Sequence, residues 1–79
     1  QVVVGFALED KNIRGRAEKK LKEKNLDMIV ANTTAAIAAD KSAVQIKTPG
    51  GEWLKVPKST KNKIAGRIIR EIENISGQG

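Results

Sequence analysis

The chain has 79 residues, so it holds one small core and leaves no room for two domains. Lysine and arginine number 15 against 9 acidic residues, and the net charge of +6 favours phosphate-bearing partners. Cysteine and histidine are absent, which excludes the common zinc sites, disulfide bonds, histidine-based triads and cysteine nucleophiles. Acid–base chemistry would have to come from carboxylates and lysines.

The apolar runs of the sequence are short. The longest, Val2 to Leu8, falls well below the ~18 consecutive apolar residues of a membrane span, and no targeting segment is visible. We therefore expect a cytoplasmic protein that makes no membrane contact. The chain opens on Gln1 within a strand-like run, and its one methionine is Met28, so we expect a piece of a longer protein.

A strand, a helix and a second strand are predicted first. Residues 1–8 are an apolar, β-branched run, which predicts a strand buried on both faces. A helix is predicted over 13–24, with Asp10 or Asn12 as its N-cap. Its apolar positions recur at steps of four: Ile13, Ala17 and Leu21. A buried strand over 26–31 completes a βαβ unit with parallel strands and a right-handed crossover.

A loop and a hairpin follow. Residues 32–42 are polar or small without a clear period, which predicts a loop. Two short strands are predicted over 43–48 and 52–56, because Pro49-Gly50-Gly51 between them is a strong turn signal.

The last predicted element is a helix that begins near Ser59 or Thr60. A continuous apolar stripe marks it: Ile64, Ile68, Ile69, Ile72 and Ile75. Residues 76–79 are predicted to be a disordered tail, which leaves residues 1–75 as the folded part. The fold class is α/β, in the order βαβ unit, β-hairpin and C-terminal helix.

Polar side chains follow the predicted strand ends. Ligands of open α/β sheets bind outside the carboxyl ends of the parallel strands. The first strand leads into Asp10, the second into Asn32, and the second hairpin strand returns to the same edge with Lys58 and Lys61. A helix N-terminus there would favour anions. We predict that these four residues converge on a phosphate-bearing ligand.

The positive charge falls into two clusters. Residues 11–25 hold seven lysines and arginines against two glutamates, and residues 55–63 add four lysines and no acid. Most such lysines are solvated surface groups. Trp53 is predicted to cover the core over the hairpin, because a base-stacking sheet would need more aromatic residues than Phe6 and Trp53. Walker-type and GxGxxG phosphate loops are absent.

Two sequence blocks resemble a known family. Residues 4–9 read VGFALE, and residues 17–32 place Lys20 and Asp27 ahead of the segment IVAN. In this order and spacing the blocks resemble phosphopantothenate-cysteine ligases, the C-terminal part of the bifunctional coenzyme A biosynthesis flavoprotein. Lys61 and the helix after it match the family's final helix, so the resemblance covers about residues 2–75. It implies a Rossmann-like three-layer sandwich, of which this chain is a partial domain.

The resemblance also implies a reaction. CTP activates the carboxylate of 4'-phosphopantothenate as an acyl-cytidylate, with Mg²⁺ neutralising the triphosphate, and the amine of cysteine then forms the amide. The family's N-terminal half, which carries a glycine-rich turn and an Asn that holds the acyl intermediate, does not match any part of this chain. We therefore expect this segment alone to be inactive, a homodimer as the working form, and FMN only where a decarboxylase domain is fused, not bound by this segment.

Site residues carry over from the matching motifs. Lys20 matches the family lysine that meets the nucleotide phosphates and supports the first half-reaction. Other positions fall at segments that contact the nucleotide: Phe6, Ala7, Asp10, Asn32, Lys58 and Lys61. Ile37 begins the segment Ile37-Ala38-Ala39-Asp40, where the family often reads Phe-Gly-Ser-Asp beside the base, so the choice between CTP and ATP stays open.

Two other functions stay open from the sequence. The cluster of charge over residues 11–25 is typical of a small basic nucleic-acid-binding domain, whose affinity would fall steeply with salt. A structural half-domain without activity is the third possibility.

Overall fold

A computed structural model describes residues 2–32 and 41–77. Its elements in chain order are β1 (Val4–Leu8), α1 (Ile13–Glu23), β2 (Met28–Asn32), β3 (Lys41–Lys47), β4 (Leu54–Thr60) and α2 (Lys61–Gly77). The strands form one sheet in the order β1-β2-β3-β4, in which β1 and β2 are parallel and the other two pairs are antiparallel. The predicted βαβ unit, hairpin and C-terminal helix are confirmed.

The two helices pack on opposite faces of the sheet. Side chains of consecutive strand residues point to opposite faces, and along β2 they alternate between two separate core clusters. The cluster on the α1 face is Ala7, Ala17, Leu21, Leu26, Ile29 and Ala31. The cluster on the α2 face is Met28, Val30, Val44, Ile46, Val56 and Ile64. The fold is therefore a three-layer α/β sandwich, as predicted.

The strand β1 departs from its prediction. It begins at Val4, and its α2 face is open, with Phe6 62% and Leu8 49% exposed. The expectation of burial on both faces is wrong for this strand, because β1 lies at the edge of the sheet and α2 packs over β3 and β4. The neighbouring strand β2 does meet the expectation, since its residues Met28 to Ala31 are all buried.

The helix starts differ in their capping. Asn12 precedes α1 in a left-handed conformation with φ 50°, and its side chain makes no capping hydrogen bond. The backbone carbonyl of Asn12 instead accepts the amide of Arg16 at 3.0 Å. Before α2, the hydroxyl of Thr60 accepts the amide of Lys63 at 3.3 Å, which is the bond of a normal N-cap.

The bounds of β4 and α2 correct two predictions. The strand β4 runs to Thr60, four residues past its predicted end, and therefore includes Lys58. The helix α2 ends at Gly77, so the first two residues of the predicted disordered tail are helical. Residues 78–79 and residues 33–40, which include Ile37 and most of the predicted loop, lie outside the described residues. Within the described ranges, neither helix is both long and apolar enough to span a bilayer.

Trp53 covers the α1 face, as predicted. The half-buried ring packs against the core cluster of that face, and its Nε1 donates to the Glu18 carboxylate at 2.6 Å. The guanidinium of Arg14 lies 5.3 Å from the ring centroid, and its Nε donates to Gln45 at 2.6 Å. These contacts fix α1 over the hairpin, and they use the tryptophan as a structural residue.

Candidate functional site

Three strands, β1, β2 and β4, have their carboxyl ends on the same side of the sheet. We call this side the carboxyl edge, to distinguish it from the lateral edge formed by β1. In the parallel pair, Leu8 of β1 lies opposite Asn32 of β2, and the amide of Glu9 donates to the Asn32 carbonyl at 3.1 Å. Two antiparallel steps make β4 run in the same direction as β2, so Thr60 and Lys61 reach this edge as well. The sheet therefore brings Asn32 and the start of α2 to one side of the molecule.

A cavity of about 490 Å³ opens at this edge, between β1 and α2. Four of the predicted nucleotide-contacting residues line it: Phe6, Ala7, Asn32 and Lys61. We call it the carboxyl-edge cavity. It combines an amide, a cationic side chain and the first turn of a helix, whose amides and dipole favour anions.

Apolar side chains that the sequence argument did not assign to the site complete the cavity wall. They are Leu8, Val30, Val44, Ile64, Ala65 and Ile68. The apolar stripe of α2 next to Lys61 was the available signal, since residues three, four and seven positions after Lys61 lie on the same face of the helix. An apolar wall with a cation at its end suits a flat ring that carries a charged substituent.

Lys20 approaches β1 from the face of the sheet that α1 covers. Its ammonium nitrogen is 3.2 Å from the carbonyl oxygen of Phe6. The backbone groups of Val3 and Glu9 bond to β2, so alternation along the strand turns those of Phe6 away from β2 and towards the open edge. Lys20 is two turns into α1, and its side chain reaches the backbone of β1 at the open edge.

Three predicted site residues among those described do not line the cavity: Lys20, Lys58 and Asp10. Lys58 is exposed on β4, two residues before the strand ends, and Asp10 is exposed two residues after β1. The neighbouring acid Glu9 lies 3.6 Å from the guanidinium of Arg16. The structure thus brings Asn32 and Lys61 together at one cavity and leaves Asp10 and Lys58 outside its lining.

The described residues do not form a metal cage. Over 2–32 and 41–77, no group of three Asp or Glu side chains is placed to hold a metal ion. Mg²⁺ in nucleotide sites is commonly held by one or two carboxylates together with phosphate oxygens. A resident ion held by protein side chains alone does not fit the described part of this chain.

Comparison with known proteins places the chain in a family. Residues 1–75 match the family described as the C-terminal domain of the DNA/pantothenate metabolism flavoprotein. The chain belongs to this family. The earlier resemblance to the C-terminal part of the coenzyme A biosynthesis flavoprotein is confirmed at that level.

Known proteins are similar to the chain in sequence and fold. The coenzyme A biosynthesis bifunctional protein CoaBC of Bacillus subtilis is 39% identical over 82 residues, which cover 99% of this chain and 20% of that protein. A cysteine/cysteine sulfinic acid decarboxylase of an unknown prokaryotic organism is 38% identical over 76 residues, 91% of this chain and 21% of that protein. A crystal structure of the C-terminal domain of CoaBC superposes with a TM-score of 0.86 at 37% identity, covering 100% of this chain and 37% of that one.

The chain corresponds to only a part of each of these similar proteins. The chain spans about a fifth of the length of each of these two curated relatives and just over a third of the crystallised domain. The two relatives also carry different names, one biosynthetic and one a decarboxylase. Both names describe whole proteins, so neither name states the activity of this chain.

Proposed function

We propose that the chain is the nucleotide-side segment of a ligase that joins 4'-phosphopantothenate to cysteine in coenzyme A biosynthesis. One observation carries the proposal: Phe6, Asn32 and Lys61, which the family resemblance assigns to nucleotide contacts, line a single cavity. The membership of the flavoprotein C-terminal domain family and the similarity to CoaBC support it.

The proposed reaction has two steps. A carboxylate oxygen of 4'-phosphopantothenate attacks the α-phosphorus of CTP, an acyl-cytidylate forms, and pyrophosphate leaves. The amine of cysteine then attacks the acyl carbon, cytidine monophosphate leaves with the electron pair of the broken bond, and the nitrogen releases one proton to solvent as the amide forms. Each step develops negative charge on phosphate oxygens, which positioned cations and amides stabilise.

The roles of the residues follow from their places. Lys61 opens α2 at the mouth of the carboxyl-edge cavity, where it and the first helical amides would hold the triphosphate. The apolar wall of Phe6, Ala65 and Ile68 would hold the base. Lys20 would meet the phosphates at the open edge of β1 and support the first step. Asn32 would fix the ligand between β1 and α2.

Metal and flavin have limited places in this proposal. Mg²⁺ would arrive bound to the triphosphate and neutralise its charge. FMN would be present only in a protein fused to a decarboxylase domain and would not contact this segment. We place the reaction in the cytoplasm.

We also propose that a second, N-terminal half completes the domain. The crystallised relative is longer than this chain, and β1 presents an open edge with Val3, Phe6 and Leu8 about half exposed or more. An N-terminal half would cover apolar side chains beside this edge and leave the Phe6 carbonyl to Lys20. We further propose that the complete enzyme is a homodimer.

The proposed function is tested by pyrophosphate release from CTP and 4'-phosphopantothenate, measured on the protein in its full natural length. Lys61→Gln should lower the rate by about 100-fold, because it removes a cation that faces the developing charge. The matched control is Lys55→Gln, which removes an exposed lysine of β4 and should leave the rate unchanged. Equal rates for the two variants, or no pyrophosphate release from the unmodified protein, would refute the proposed site.

A further inference from the structure

The flank of α2 opposite the carboxyl-edge cavity forms a second groove against β4. This groove has a volume of about 420 Å³ and is lined by Val56, Pro57, Ser59, Lys63, Gly66, Arg67 and Arg70. We call it the β4 groove. Three of its lining residues are cationic, and residues 55–70 hold six lysines and arginines without an acidic residue.

The cations of the β4 groove form a row. Lys63, Arg67 and Arg70 follow one another at steps of four and three, the spacing of one helix face. The row extends over roughly 10 Å of helix at 1.5 Å per residue. Arg67 shares its charge with Glu71 at 3.2 Å, whereas the side chains of Lys63 and Arg70 make no ion pair with the described residues.

Gly66 lies among the cations that line the β4 groove. Glycine in the interior of a helix costs about 1 kcal/mol relative to alanine. Packing does not require it, because a Cβ built on Gly66 meets no atom within 4 Å. The missing side chain instead leaves the helix surface open between the cations, so that a ligand can approach close to the backbone.

We propose that the β4 groove binds an anion that carries linked phosphate groups, at a site separate from the carboxyl-edge cavity. A row of cations of this length matches a chain of two or three phosphates, and arginine can hold each phosphate through two parallel hydrogen bonds. The lining residues include no aromatic side chain on which a base could stack, so the groove recognises phosphates and not bases. A free oligophosphate and the backbone of a nucleic acid share this chemistry.

The test uses calorimetric titration of the full-length protein with two probes, tripolyphosphate and a short oligothymidylate. Lys63→Gln combined with Arg70→Gln should weaken binding by about tenfold or more. The control pair, Lys11→Gln with Lys24→Gln, removes the same charge from exposed positions around α1 and should change the affinity less than twofold at roughly physiological salt, where distant charges are screened. Tight binding of oligothymidylate would assign the site to nucleic acid, and binding of tripolyphosphate alone would assign it to a free oligophosphate.

Gly66→Ala separates ligand binding from structure. The substitution should raise the melting temperature and yet weaken tripolyphosphate binding, a combination that a purely structural glycine would not give. Three results would overturn the proposal: no binding of either probe, equal losses in the two charge pairs, or loss of binding in Lys61→Gln alone, which would place the anion in the carboxyl-edge cavity. Pyrophosphate release by the Lys63/Arg70 variant should match the unmodified protein, so failure here leaves the proposed enzymatic function standing.

Discussion

The ammonium nitrogen of Lys20 lies 3.2 Å from the carbonyl oxygen of Phe6, whose residue also lines the carboxyl-edge cavity. Phe6 of β1 thus contacts Lys20 of α1 through its carbonyl and also lines a cavity that α2 bounds. The lysine stands at the open edge of the sheet, where one of its three donors bonds to the Phe6 carbonyl and the other two can hold phosphate oxygens.

Lys20→Met is expected to slow pyrophosphate release from CTP and 4'-phosphopantothenate by about 100-fold in the full-length protein, because it removes a positioned donor at the phosphates. Lys22→Met changes an exposed lysine on the same helix and serves as the control. If both variants released pyrophosphate at the rate of the unmodified protein, the role of Lys20 would be wrong.

Gly5→Ala is expected to destabilise the protein by about 1–3 kcal/mol through overpacking. A Cβ on Gly5 would collide with the Leu26 side chain, which is buried on the α1 face. Chemical denaturation followed by the fluorescence of Trp53 measures the change. Gly66→Ala, where the added methyl group meets open space, should stabilise the protein instead. A neutral Gly5→Ala would mean that Leu26 moves aside freely.

Ile64→Ala is expected to cost about 2–5 kcal/mol of unfolding free energy, since Ile64 is buried in the core of the α2 face. Ile69 lies five residues further along the same helix and is 56% exposed. The matched variant Ile69→Ala should cost no more than about 0.5 kcal/mol. Similar losses in the two variants would contradict the orientation of α2.

Thr60→Ala should lower stability by about 1 kcal/mol, because it removes the hydroxyl that accepts the Lys63 amide at the start of α2. Ser59→Ala is the control, since that hydroxyl donates to the Pro57 carbonyl and caps no helix. Thermal denaturation of both variants measures the difference. A melting temperature for Thr60→Ala equal to that of Ser59→Ala would show that α2 needs no cap.

Much of this fold could be predicted from local patterns. The steps of four in Ile13, Ala17 and Leu21 gave α1 within one residue, and the Pro49-Gly50-Gly51 turn gave the hairpin. In that turn Gly50 has a φ of 78°, a conformation that glycine adopts without strain. These elements are set by contacts close in sequence, and periodicity records such contacts directly.

The exposure of β1 could not be predicted in the same way. An apolar run is the same whether a second segment covers it or not, and its environment depends on which strand lies next to it. The apolar pattern ends at Val56 and therefore put Lys58 beyond the strand. Lys58 lies within β4 because the strand continues four residues past that pattern. The placement of Asn32 and Lys61 at one edge could be predicted because sheet topology alone brings the ends of β2 and β4 there.

Titration of the isotope-labelled full-length protein with CTP, followed through its amide NMR signals, tests the central claim most directly. The account predicts that the largest shifts cluster around the carboxyl-edge cavity, at Phe6, Leu8, Asn32 and Lys61, and that Lys61→Gln abolishes them. Amide signals that remain unshifted around this cavity while CTP binds elsewhere would contradict the account.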